Sequence, residues 1–209
     1  MANLLTSSRL LLLVVVVWLF YAAHPAWQLL NFFLIILLFI TDGLDGYIAR
    51  RRNEASHFGA LWDIASDRVV ELSLWVVVAD RNLVPIWVPL IFIARGVVVD
   101  TIRASDSATR REAPFKLMRT PLGKFLVASR FMRILYAVVK ACAFCGLVLL
   151  PAWPSLWPGL WAVIATVWSA LTYFFVYLAV VLCILRGLPV VAEFLQAQKQ
   201  AIVRSPASK

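Results

Sequence analysis

The sequence predicts an all-α integral membrane protein: a six-transmembrane-helix bundle with both termini in the cytoplasm. Three observations lead there. The 209 residues are 63% hydrophobic and 13% aromatic, with a mean hydropathy of +0.87, too apolar for a soluble domain. Six apolar segments recur along the chain, at about 8–23, 28–49, 60–79, 83–103, 125–150 and 159–185. Lys and Arg gather on alternate connections between them, the bias that sets membrane orientation.

The first segment has no basic run before its apolar stretch, and Ala-His-Pro-Ala at 23–26 makes a weak cleavage site. It therefore reads as a retained helix, not a signal peptide. Segment two runs into Arg50, Arg51 and Arg52. Segments three and four are joined by a short connection carrying only Arg81. A basic linker at 104–124 follows, with Arg110, Arg111, Lys116, Arg119 and Lys124 and an interfacial patch around 114–118. Arg186, Lys199, Arg204 and Lys209 follow segment six, whereas connections 24–27 and 151–158 have no Lys or Arg. An even number of spans and this asymmetry place both termini in the cytoplasm. Trp27, Trp87, Trp153, Trp157 and Trp161 fall toward the opposite face, as an interfacial aromatic belt. The chain reads as a six-span domain, 1–186, and a basic tail, 187–209. The tail is weakly amphipathic over 189–203 and is expected on the membrane surface.

The net charge is +9. Most of it is juxtamembrane, so topology and attraction to anionic lipid headgroups account for it, and nucleic acid is not an expected partner. Cys142 and Cys145 form a C-x-x-C inside an apolar segment and Cys183 stands alone. All three read as small packing residues. His24 reads as an interfacial residue and His57 as a solvated loop residue close to the polar window described next.

Four of the eleven acidic residues, Asp42, Asp45, Asp63 and Asp67, fall in one window of this apolar chain. Carboxylates in a membrane segment are costly, and the default reading is functional. On helices, Asp42 and Asp45 are i,i+3 neighbours and Asp63 and Asp67 are i,i+4 neighbours, so each pair shares a face. Two such pairs brought together repel unless cations sit between them. Oxygen-only ligands suit Mg²⁺, Mn²⁺ or Ca²⁺ rather than zinc.

The full spacing, D-x2-D-G-x2-A-R-x8-G-x3-D-x3-D from Asp42 to Asp67, resembles the signature of the CDP-alcohol phosphotransferase family, membrane enzymes of phospholipid synthesis. All eight defining positions match: Asp42, Asp45, Gly46, Ala49, Arg50, Gly59, Asp63 and Asp67. The resemblance implies a binuclear site with two Mg²⁺ or Mn²⁺ ions held by Asp42, Asp45, Asp63 and Asp67. Asp67 would also act as the catalytic base on the acceptor hydroxyl. Gly46, Ala49, Arg50 and Gly59 would bind the CDP-lipid, CDP-diacylglycerol, with Arg50 on phosphate and the glycines admitting the nucleotide. Gly46 and Gly59 could equally be small residues at a helix crossing. CMP would be the leaving group. The resemblance also implies a homodimer in the bacterial cytoplasmic membrane, its site facing the cytoplasm.

The acceptor is read from the charges in segments four and five, which include Arg95, Arg103, Lys124, Arg130, Arg133 and Lys140. Cations beside a carboxylate site favour a phosphorylated acceptor, and Arg103, Lys124, Arg130 and Arg133 are the expected phosphate ligands. Snorkelling to the interface is the plainer reading of Lys124. Within the family the chain is most similar to phosphatidylglycerophosphate synthases, through N-L-L-T-S-S-R at 3–9, L-V-P-I-W-V-P-L-I-F-I-A-R at 83–95 and L-G-K at 122–124. That similarity implies glycerol 3-phosphate as acceptor. Gly96 in place of a glutamate, Arg68 in place of a lysine and a missing second lysine after Lys124 depart from it. Asp67-Arg68 instead resembles relatives that use inositol phosphate. A cation transporter, using intramembrane aspartates, is the reading from another class. Glu71, one turn beyond Asp67, is expected either behind the site or in helix packing. Asp100 is expected to pair with Arg103 within segment four.

Overall fold

The computed structural model describes the backbone of residues 2–22, 24–52, 57–110 and 123–204. Within these, side chains are described except at 2–6, 42–52, 57–58, 60, 103, 105–110, 128 and 197–204. The described residues are helical throughout, apart from turns. The helices are α1 (Ala2–Tyr21), α2 (Pro25–Arg52), α3 (His57–Asp80), α4 (Trp87–Arg110), α5 (Arg130–Leu149), the single turn α6 (Trp153–Leu156) and α7 (Pro158–Arg204). A π-helical turn, Lys124–Ala128, precedes α5.

The expected segments map onto these helices, with shifted ends. Helix α1 starts at Ala2, not at residue 8, so Arg9 lies well inside it. Helix α4 starts at Trp87, because Arg81–Ile86 forms a turn in which Asn82 has φ 57°. Asn tolerates this left-handed backbone better than most residues. Segment five is broken at Ser129, whose extended backbone (φ −58°, ψ 133°) ends the π-helical turn. Its hydroxyl then accepts a bond from the Met132 amide and caps α5. Helix α7 crosses the expected boundary at 186 without interruption and contains Pro189. Its 47 residues make a rod about 70 Å long at 1.5 Å per residue, longer than a bilayer core.

Among the described residues, Arg130–Leu149 and Pro158–Gln196 are long and apolar enough to cross a membrane, with mean hydropathies of 1.9 and 2.4. Ser7–Tyr21 and Pro25–Thr41 are shorter apolar helices. Helix α3 includes Asp63, Asp67, Arg68 and Glu71, and α4 includes Arg95, Asp100 and Arg103. Those charges interrupt their apolar runs. Large apolar side chains such as Leu11, Val163 and Val167 face outward, as on a lipid-facing surface.

The contacts fix the helix directions. Arg9 and Tyr21 of α1 meet Asp67 and Asp80 of α3, so these helices run parallel. Arg68 of α3 meets Asp100 of α4, while Trp75 stacks on Phe92 at 4.4 Å, so α4 runs antiparallel to α3. Glu71 meets Lys140 of α5 and Trp75 meets Phe144 at 4.5 Å, so α5 runs parallel to α3. Gly146 abuts Thr172, and Tyr136 lies under Arg186, so α7 runs antiparallel to α5. The result is an alternating bundle around Val16, Ile35, Leu74, Trp75, Phe144 and Leu147. At the α1–α2 corner, Gln28 Nε2 donates to the carbonyls of Leu19, Phe20 and Ala22, at 2.9, 3.4 and 3.3 Å. Helix-end carbonyls, of which that of Leu19 also accepts from the Ala22 amide, are thereby satisfied inside an apolar environment.

Candidate active site

The aspartate window spans the end of α2 and the first half of α3. Asp42, Asp45, Gly46, Ala49 and Arg50 stand on helical backbone in α2, and their side chains lie outside the described residues. The same holds for His57, which opens α3 as its first residue and not as part of a loop. Gly59, Asp63 and Asp67 follow on α3, and the helix puts the two aspartates one turn apart.

Asp63 and Asp67 converge on one cation. Arg9 Nη1 lies 2.9 Å from Asp67 Oδ1 and 3.8 Å from Asp63 Oδ1. Arg9 is buried, whereas both aspartate side chains are nearly half exposed, at 44% and 45%. The carboxylates are thus open on one side and clamped on the other. A donor set of carboxylate oxygens already converging on positive charge fits Mg²⁺ or Mn²⁺. Asp63 and Asp67 would supply two of its ligands, with Asp42 and Asp45 on the neighbouring helix end as the others expected. Among the described residues alone, no group of three potential metal ligands assembles.

Beside this pair lies a second charged cluster, deeper in the bundle. Arg68 Nε donates to Asp100 Oδ2 at 2.7 Å and Nη2 to Oδ1 at 3.4 Å, a forked contact between α3 and α4. Its Nη1 donates to Glu71 Oε2 at 3.0 Å. Lys140 Nζ donates to Glu71 Oε1 at 2.8 Å, and the Tyr136 hydroxyl donates to the same oxygen at 3.2 Å. Lys140 and Arg186 both lie over the Tyr136 ring, 4.4 and 5.3 Å from its centroid. Charges drawn partly out of water demand such pairing, and Arg68, Glu71, Asp100 and Lys140 each meet an opposite charge. Asp100 is therefore matched across the helix crossing by Arg68, and the side chain of Arg103, its expected partner, lies outside the described residues. The planar guanidinium of Arg68 offers it two donors at once. Glu71 joins α3 to α5, which favours helix packing of its two expected roles.

The expected acceptor residues are placed differently. Lys124 is exposed on the π-helical turn, and Arg130 and Arg133 are exposed on the first turn of α5. The Arg103 side chain lies outside the described residues. Lys140 is engaged by Glu71. Arg186, read from sequence as a flanking topology charge, is 7% exposed. Gly187 beside it leaves room for Arg95, whose Cγ would stand 3.0 Å from a Cβ built there. Arg9 and Arg186 are the residues that sequence reading missed. Arg9 carried a signal, a charge about two turns into an apolar helix, and so did Arg186 at the end of an apolar segment.

Residues 1–185 match the sequence model of CDP-alcohol phosphatidyltransferases, and the chain belongs to that family of membrane-embedded transferases of phospholipid synthesis. It is similar to the CDP-diacylglycerol–glycerol-3-phosphate 3-phosphatidyltransferase of Rickettsia typhi, at 31% identity over 101 residues, 48% of this chain and 57% of the relative. It is similar also to the cardiolipin synthase (CMP-forming) of Streptomyces coelicolor, at 34% identity over 99 residues, 44% of this chain and 45% of the relative. The matched stretch spans about half the length of the curated relatives.

Proposed function

We propose that the protein transfers a phosphatidyl group from CDP-diacylglycerol to glycerol 3-phosphate, releasing CMP and forming phosphatidylglycerophosphate. The observation that carries this reading is the convergence of Asp63 and Asp67, the last two aspartates of the signature, on a single cationic point. Divalent ions bound there would neutralise the pyrophosphate and polarise the phosphorus under attack. Asp67, half exposed, takes the proton of the acceptor hydroxyl. Arg50 and the backbone at Gly46, Ala49 and Gly59 receive the CDP moiety. Arg103, Lys124, Arg130 and Arg133 hold the acceptor phosphate, the last two from one face of the first turn of α5.

The membrane arrangement follows from the same bundle. Helices α1, α2, α3, α4, α5 and α7 each have at least 20 residues, which supports a reading of six alternating spans. The basic connections support a cytoplasmic position for the end of α2 and the start of α3, where the aspartate window falls, with both termini on the same side. The homodimer rests on the family resemblance alone.

The test is CMP release by purified protein from CDP-diacylglycerol with glycerol 3-phosphate, inositol phosphate, phosphatidylglycerol or glycerol as acceptor. Preference for glycerol 3-phosphate is expected. Inositol phosphate is the second reading, favoured by Arg68 directly after Asp67. Preference for it, or for an unphosphorylated alcohol, would replace the acceptor and leave the transferase reading in place.

A further inference from the structure

The cation that Asp63 and Asp67 already hold belongs to the protein. Arg9 is 3% exposed and sits on α1, a helix packed against α3 along its length and tied to it at the other end by Tyr21 and Asp80. A surface arginine can swing into water when another cation arrives. A buried one on a fixed helix cannot move far without leaving a charge unsolvated. Its buried guanidinium meets the buried Oδ1 of Asp67, while both aspartate side chains remain nearly half exposed.

We propose that Arg9 is a built-in counter-cation of the metal site. It holds Asp63 and Asp67 together when no metal is bound and weakens divalent binding by competing for the same oxygens. This rests on the metal-dependent reading given above. Without a cation, two carboxylates one helical turn apart repel, and the metal-free protein would lose stability and the shared orientation of the pair. With Arg9 in place, the empty site stays assembled. A divalent ion then enters a site whose negative charge is already partly cancelled, so it binds less tightly. Arg9 is a positioning residue in this scheme: it acts through the aspartates and not on the reacting atoms. Weak, reversible metal binding suits a site whose ions must release a charged nucleotide product on every turnover.

The test is Mn²⁺ binding, read by electron paramagnetic resonance on metal-stripped protein in detergent, with thermal unfolding alongside. Arg9→Gln and Arg9→Met remove the charge while filling the buried space. Both are expected to bind Mn²⁺ about tenfold tighter than wild type, the scale of losing one nearby repulsive charge at a partly screened site. Both should also have a lower Tm without metal and gain more Tm on adding Mn²⁺, since ligand binding stabilises the folded state by mass action. Arg9→Lys keeps the charge and should remain within about twofold of wild type. Neutral variants that fold only when Mn²⁺ is present would also support the proposal, because metal would be replacing the missing charge. Unchanged or weaker Mn²⁺ binding in the neutral variants overturns it, as does failure to fold even with Mn²⁺. If wild type itself binds no Mn²⁺, the metal-dependent reading falls as well, so the two failures are distinguishable.

Discussion

Glu71 of α3 and Lys140 of α5 form a part-buried ion pair, Nζ to Oε1 at 2.8 Å, that fastens the aspartate helix to the helix beginning with Arg130. The same carboxylate takes Arg68 on its other oxygen, so Glu71 is shared by two cations, one of which, Arg68, also has Asp100.

This unequal sharing gives an ordered prediction. Glu71→Gln leaves Lys140 without a carboxylate and Arg68 with Asp100 alone, and should cost about 2 kcal/mol of stability, the scale of leaving a charged donor short of its partner. Lys140→Met should cost less, because Glu71 keeps Arg68. The double variant should recover part of the Glu71→Gln loss, since fewer charges are stranded. Chemical unfolding in detergent would measure all three. Equal costs for the two single variants would contradict the geometry.

The α5–α7 contact should be intolerant of added volume. A Cβ on Gly146 would lie 2.6 Å from Thr172 Oγ1 and 2.8 Å from its Cγ2, and Thr172 is buried. Gly146→Ala should therefore destabilise by about 1–3 kcal/mol. Thr172→Ala, which removes both near atoms, should relieve most of that in combination. A Gly146→Ala protein as stable as wild type would show that the helices shift apart freely.

Metal dependence follows from the carboxylate donor set. EDTA should abolish CMP release, and Mg²⁺ or Mn²⁺ should restore it. Full turnover in chelator would remove the binuclear reading.

Asp67 should matter more to turnover than to lipid binding. Asp67→Asn should lower kcat by roughly 10²-fold or more, the scale of a lost general base, while CDP-diacylglycerol still binds. Near-normal turnover would place the base elsewhere.

Arg130 and Arg133 are exposed on the first turn of α5, and no acidic residue occurs between Glu112 and Glu193. Alanine at either should raise KM for glycerol 3-phosphate much more than KM for CDP-diacylglycerol. Steady-state kinetics with each substrate varied in turn would check it. An unchanged acceptor KM in both variants would move the acceptor site, and the buried Arg186 would become the next residue to test.

The sequence alone determined a good deal. Apolar runs of span length fix helices, because lipid leaves the backbone no other way to satisfy its N–H and C=O groups. Helical spacing alone places Asp63 and Asp67 on one face of one helix. The eight signature positions identify the family, since spacing of that kind survives in one dimension. What one dimension does not contain is helix rotation and partner choice. Arg68 and Asp100 are 32 residues apart, and Glu71 and Lys140 are 69 apart. Their pairing depends on which face each helix turns inward, which packing decides through contacts such as Trp75 between Phe92 and Phe144 and the close approach at Gly146. For the same reason Asp100 binds across a helix crossing and Arg186 is buried over Tyr136. Arg9, a charge inside an apolar helix near the start of the chain, becomes the partner of Asp67 only once α1 lies parallel to α3.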